Sequence, residues 1–214
     1  MSTTTQREYL PAAGRDWLLP LYDPITRLFG MDDARAILLE QAQLQPGQSV
    51  LDVGCGTGTL AVQIKRADPS IEVIGVDPDP KALARARRKA SRAGVSVRFD
   101  HSFADTLPHP AARFDRVFSS MMFHHLSRDD QPRMLREARR VLKPAGRLEL
   151  LDFASPDAHA HGVLSRLIHA HHQLAGNSLE RITALMSDAG FTGARVTRVQ
   201  HRMFGRLGFF EAVA

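Results

Sequence analysis

This chain of 214 residues has a single cysteine, no apolar run approaching a membrane span, no internal repeat and no low-complexity tract. Each absence excludes something. One cysteine, Cys55, cannot close an intrachain disulfide, so the expected compartment is the reducing cytoplasm. A spanning helix needs about 20 consecutive apolar residues, so membrane insertion is not expected. Arg7, Glu8, Pro11 and Gly14 stand where a secretory leader would place its apolar stretch, so no leader is expected either. With nothing to divide it, a chain of this length fits one domain with a sizeable core. Acidic residues are fewer than basic ones, 23 against 28, a formal net charge of +5. That balance permits an acidic partner, but the excess lies on helical stretches: Arg85, Arg87, Arg88, Lys89 and Arg92, then Arg133, Arg136, Arg139, Arg140 and Lys143. These read as solvated helix faces, which leaves nucleic acid the disfavoured partner.

The chain is organised around Val50-Leu51-Asp52-Val53-Gly54-Cys55-Gly56-Thr57-Gly58-Thr59-Leu60. An apolar run with Asp52 inside it reads as a buried strand. Glycines at alternate positions follow, and then a helical pattern starts. Strand, glycine turn and helix is how an α/β sheet holds a nucleotide-like cofactor at its carboxyl edge. The spacing lacks the G-x-G-x-x-G of a dinucleotide site, because the third glycine comes one residue early. A pyrophosphate seated on the helix N-terminus is therefore not the best ligand.

Periodicity continues the α/β pattern on both sides. Helices are expected from Asp23-Pro24 onward, over Asp32–Gln43, Leu60–Ala67, Pro80–Ala93, Ser127–Leu142 and Leu179–Ala189. Strands are expected at Ser49–Val53, Ile71–Val76, Val95–Phe99, Ala112–Ser120 and Arg147–Phe153. Phe191–Val199 and Leu207–Val213 are joined by a short link and should pair antiparallel at the sheet edge. The fold class is a doubly wound, mostly parallel seven-stranded sheet, with residues 1–45 as a helical cap and 154–178 as an insertion. The insertion carries His159, His161, His169, His171 and His172. No cysteine or carboxylate completes a ligand set there, so no metal is expected, and a substrate-entrance role is the better reading. Asp77 ends the second strand, where an acid can accept both ribose hydroxyls of a nucleoside; it could instead cap the helix from Pro80, as could Asp79.

The G-x-G-x-G loop resembles the S-adenosylmethionine loop of class I methyltransferases, in which the backbone passes close beneath the methionine and ribose and a side chain at any of the glycines would block the approach. Further segments share that resemblance: Gly75-Val76-Asp77, Leu107-Pro108, Phe114-Asp115, His124-His125-Leu126, Arg140 to Arg147, Leu151-Asp152-Phe153 and Ala189-Gly190-Phe191. They are similar to the ubiquinone/menaquinone C-methyltransferase-like group, whose fold is Rossmann-like. The resemblance implies S-adenosylmethionine as cofactor, held by Tyr22, Asp52, Gly54, Cys55, Gly56, Thr57, Gly58, Asp77, Pro78, Ser102, Phe103, Ser119 and Met121. Relatives carry an acid for the adenine amino group where this chain has Phe103, so packing is expected to replace a polar contact there. His124 and His125 are the candidate general bases, since an imidazole titrates near neutral pH.

The implied reaction is in-line methyl transfer to a small apolar or aromatic metabolite. Two alternatives stay open: a nucleic-acid methyltransferase using the basic helices, and a non-catalytic S-adenosylmethionine-binding regulator. Against the first, Ser119-Ser120-Met121-Met122 is not the Pro-Pro-aromatic motif of amino-methylating nucleic-acid enzymes. Cys55 is in the wrong loop for attack on cytosine, and the paired glutamates of protein arginine methyltransferases are missing. A homodimer is left open.

Overall fold

A computed structural model describes residues 30–154, 177–202 and 205–214. Tyr22, most of the expected N-terminal cap and the histidine-rich insertion lie outside the described residues. The elements run α1 (Met31–Ala42), β1 (Ser49–Val53), α2 (Thr59–Ala67), β2 (Glu72–Asp77), α3 (Pro80–Arg92), β3 (Arg98–His101) and β4 (Phe114–Ser120). A 3₁₀ turn (Phe123–His125), α4 (Asp130–Val141), β5 (Leu142–Ala154), α5 (Leu179–Asp188), β6 (Thr192–Arg202) and β7 (Gly205–Val213) complete them.

The strands form one seven-stranded sheet in the order β3-β2-β1-β4-β5-β7-β6. The first five are parallel. β7 runs antiparallel to both β5 and β6, so the expected antiparallel pairing at the edge is present, with the last strand lying between two others. Two-residue alternation decides which helices cover which face. Val50, Val73, Phe118, Leu151 and Phe209 point toward α1, α2 and α3 in one buried cluster. Leu51, Ile74, Val117, Leu150 and Phe210 point toward α4 and α5 in the other. Covered on both faces, β1 and β2 are apolar runs after their more exposed first residues, Ser49 and Glu72, with Asp52 and Asp77 as the buried exceptions, which suits a buried parallel sheet.

Several strand boundaries differ from expectation: β5 begins at Leu142, where the helix was expected to continue, rather than at Arg147, and β6 runs to Arg202 rather than Val199. The third strand is Arg98–His101 rather than Val95–Phe99. Val95 and Val97 belong to the approach from α3 and pack against the first cluster as partly buried side chains. The strand itself is an edge and is polar, so apolar residues mark the wrong end of it.

A polar layer lies beneath the C-terminal end of α1. Glu149 is fully buried in β5 and accepts from Gln41 Nε2 at 2.7 Å. Arg147 pairs with Glu211 at 3.1 Å and donates to the Ala42 carbonyl at 2.6 Å. Burial pushes the Glu149 carboxyl up to about 7. Among the described residues no helix is long and apolar enough to cross a membrane.

Candidate active site

The glycine loop is tied to the end of β2. The Gly54 and Cys55 N–H groups donate to the Val76 carbonyl at 2.8 and 3.0 Å, and Gly58 N donates to Cys55 O at 2.8 Å. Gly54, Gly56 and Gly58 all have positive φ, at 72°, 52° and 76°. Their neighbours differ. A Cβ on Gly54 would lie 2.2 Å from Met122 Cγ, and one on Gly58 would lie 2.8 Å from Ala86 and 3.0 Å from the Phe99 ring. A Cβ on Gly56 would meet nothing within 4 Å. Protein packing thus excludes a side chain at two of the glycines. Close approach of a cofactor can be the reason only at Gly56.

Asp77 is 8% exposed and is not the cap of α3. That role belongs to Asp79, which accepts from Lys81 N at 2.8 Å. Asp77 instead accepts the Gly56 N–H at 2.8 Å and the Asp79 N–H at 2.9 Å, one on each oxygen. Burial raises its carboxyl to about 6 despite these bonds. Each carboxylate oxygen has further lone-pair capacity for a ribose hydroxyl.

Asp52 is 1% exposed, and its Oδ2 has no hydrogen-bond partner among the described residues. Burial raises its carboxyl to about 7, opposed by the buried Arg35 guanidinium of α1. Ser119 Oγ and Ser120 Oγ, at the end of β4, are likewise buried without a partner among the described residues. Orphaned polar atoms at the carboxyl ends of adjacent strands, beside an open glycine, suit a polar ligand that the protein does not itself imitate.

Other expected contacts are narrower than their side chains suggest. The Cys55 side chain is buried against Gly75, and burial holds its thiol well above the ordinary range, so only its backbone borders the loop. Thr57 is buried, and its hydroxyl accepts from Lys89 Nζ at 3.0 Å. The Pro78 carbonyl lies 2.9 Å from His101 Nε2. Ser102 donates to Thr106 O at 2.7 Å, which shapes the turn that carries the half-buried Phe103.

The turn that carries both candidate histidines begins where β4 ends. Met121 has φ 59°, in the left-handed region that non-glycine residues avoid, and its N–H donates to Leu151 O at 2.8 Å. That bend lays Met122 over Gly54 and carries the 3₁₀ turn across the end of β5. His124 is 5% exposed. Its Nδ1 lies 2.5 Å from Asp152 Oδ1, and its backbone N–H donates to Asp152 Oδ2 at 3.2 Å. Its ring sits 4.1 Å from the His125 ring and 5.1 Å from that of Phe153, centroid to centroid. The sequence named both histidines. It missed Arg35 and Ser120, and also Met122 and Asp152, whose partners Gly54 and His124 are distant in the chain; an acid inside an otherwise apolar strand was the available signal for Asp152.

A doubly wound sheet with this loop, this strand-end acid and a histidine turn on the neighbouring strand end defines a nucleoside-cofactor transferase site. The methyltransferase domain profile matches residues 50–146. The demethylmenaquinone methyltransferase of Deinococcus radiodurans is 36% identical over 173 residues, which cover 79% of this chain and 68% of that one. The demethylmenaquinone methyltransferase of Thermus thermophilus is 39% identical over 153 residues, covering 70% and 69%. Among solved structures, a SAM-dependent methyltransferase from Aquifex aeolicus superposes with a TM-score of 0.66 at 23% identity, covering 84% of this chain and 88% of that one, a likeness of fold. The chain belongs to the class I S-adenosylmethionine-dependent methyltransferases, in the ubiquinone/menaquinone C-methyltransferase group. Its cofactor is S-adenosylmethionine, and the open Gly56, the strand-end Asp77 and the orphaned Asp52 and Ser119 atoms fit that molecule.

Proposed function

We propose that this chain is a cytoplasmic enzyme that methylates a small apolar aromatic acceptor of the quinone-precursor type. The observation that carries this reading is the placement, at one sheet edge, of the glycine loop beside a buried histidine–carboxylate pair carried by the next two strands, β4 and β5. The demethylmenaquinone methyltransferase relatives support the acceptor class.

When bound, S-adenosylmethionine supplies a methyl group on a sulfonium already activated for in-line displacement. The protein then has to hold, align and exclude water. Asp77 takes the ribose hydroxyls, and Gly56 lets the backbone approach. Phe103 packs on the adenine, with the Ser102–Thr106 turn fixing its position. Asp52, with Ser119 beside it, offers negative charge at the cationic methionine end. Met121 and Met122 close the apolar wall between donor and acceptor, and His124 or His125 takes a proton from an acceptor that arrives protonated.

The test is transfer of labelled methyl from S-adenosylmethionine to the small-molecule fraction of a cell extract and to 2-prenyl-1,4-dihydroxynaphthalene. Label in both, with the product identified by mass, is expected. Label confined to macromolecules would overturn the acceptor assignment.

A further inference from the structure

Charge is spread unevenly over the surface. Together α2 and α3 carry eight lysines and arginines and no acid, a local +8 in a chain of formal net charge +5, so all other residues sum to −3. Both helices begin at the carboxyl edge of the sheet, α2 directly after the glycine loop and α3 directly after Asp79. They run along the same face, packed on each other and over β2 and β3. On α3 the spacing is regular. Lys81, Arg85, Arg88 and Arg92 recur every three or four residues, a row about 16 Å long on the side away from the buried Ala82, Leu83, Ala86 and Ala90.

The partners of these cations set them apart from the other basic run. On the opposite face, α4 pairs Arg133 with Asp130 at 3.3 Å and Arg140 with Glu137 at 2.7 Å, and its Arg139 donates to the Gly190 carbonyl at 2.7 Å. On α2 and α3, Lys65 donates to the Pro69 and Ile71 carbonyls, Arg87 to the Phe99 carbonyl, and Lys89 to the Thr57 and Thr59 hydroxyls. Bonds to neutral oxygens fix a side chain and leave its charge in place. Arg66, Arg85, Arg88 and Arg92 have no ion pair among the described residues. The acids nearby are engaged elsewhere: Asp79 is buried as the cap of α3, and Asp68 accepts from Ser70 at 2.8 Å. Farther along the same face, over β5, α1 carries Asp32, Asp33 and Glu40 against Arg35, so the positive field is confined to the β2–β3 side.

We infer that the α2–α3 face docks, without insertion, on the anionic headgroup surface of a lipid bilayer, and that docking brings the site edge to an acceptor dissolved in that bilayer. The second clause rests on the quinone-precursor reading above, since a prenylated aromatic partitions into lipid. Cations near an anionic surface add their attractions, and charges within a Debye length of about 8 Å act together. The outer row of α3 has no apolar wedge, so the attraction is electrostatic, reversible and sensitive to salt. A bilayer suits the face better than nucleic acid, because neither helix carries an aromatic side chain on which a base could stack.

The test uses the full chain in sedimentation with vesicles of phosphatidylcholine alone or with about 30% phosphatidylglycerol, at about 0.15 M salt. Binding to the anionic vesicles alone is expected, weakened about tenfold or more at about 0.5 M salt. The triple variant Arg85→Gln, Arg88→Gln, Arg92→Gln should bind them about 10- to 100-fold more weakly, with melting temperature and S-adenosylhomocysteine affinity unchanged. Removing charge from the opposite face with Arg133→Gln and Arg136→Gln should leave vesicle binding within about twofold of wild type. With labelled S-adenosylmethionine, the triple variant should match wild type on 2-prenyl-1,4-dihydroxynaphthalene in detergent micelles and fall about tenfold behind it on the same compound in anionic vesicles. Equal binding to neutral vesicles, no binding to either kind, or a triple variant that binds as wild type does would overturn the docking face. An equal loss of transfer in micelles and in vesicles would tie these arginines to the fold and overturn it as well. Salt-sensitive retention of a single-stranded RNA that survives an excess of anionic vesicles would give the face to nucleic acid instead. Vesicle binding that needs these arginines, with no label reaching the acceptor in either medium, would keep the docking face and overturn the acceptor reading.

Discussion

Both oxygens of Asp77 accept backbone N–H groups from the protein, one from the loop and one from the start of the next helix. Ribose hydroxyls would join a carboxylate whose position is already set. Charge-assisted hydrogen bonds contribute about 1.5–3 kcal/mol, so Asp77→Ala should weaken S-adenosylmethionine binding by roughly 10- to 100-fold in a calorimetric titration. Unchanged affinity would remove Asp77 from the ribose. The residue scale is also where the sequence was least complete. Asp77 was legible because a strand-end acid has a stereotyped place in this topology. Asp152 has no such place: its partner lies 28 residues away and is met only through the sheet register. Arg35 sits in a helix whose pattern says only that one face is apolar, although the fold buries it beside Asp52.

At the scale of elements, the loop joining β1 to α2 is shaped mainly by what packs on it. Substitution should separate the three glycines by readout. Gly54→Ala meets Met122 and Gly58→Ala meets Ala86 and Phe99, so both should lower the melting temperature. A Cβ in the left-handed region costs about 1–2 kcal/mol even without a clash, which in a protein of this size is a shift of roughly 2–8 °C. Gly56→Ala, with open space at its Cβ, should show its larger effect on donor affinity. Equal behaviour of all three, by differential scanning fluorimetry with and without donor, would contradict this division. The elements themselves were largely legible, because β1, β2 and the helices alternate with clear period and β4 ends in a recognisable turn. β3 was misplaced because an edge strand carries little apolar signal, and the strained Met121 that steers the histidine turn leaves no mark in the sequence.

The whole molecule buries acids whose native values exceed their unfolded ones: Asp52 at about 7, Glu149 at about 7 and Asp77 at about 6. Such a carboxyl binds protons more tightly when folded, so protonation stabilises the fold and that contribution fades as pH climbs through the native value. Glu137, held low by its Arg140 hydrogen bonds, works in the opposite sense only at acid pH, and His109, lowered by burial, opposes the trend only near the ordinary imidazole value. The melting temperature of protein prepared without donor should therefore fall from pH 6.5 to 8, and Glu149→Gln should flatten the fall. A rise over that window would refute the assignment of these acids.

The placement of β7 has a consequence for how the chain is made. It is the last strand in sequence, yet in space it lies between β5 and β6, with Phe209 and Phe210 fully buried. Until residues 205–213 have left the ribosome, β5 is an open edge and Asp152 stands at a margin of the sheet with nothing hydrogen-bonded beyond it. The sheet beneath the histidine turn is thus complete only once residues 205–213 have inserted between β5 and β6. A chain cut before residue 205 would hold the glycine loop complete and the histidine turn over an unfinished sheet.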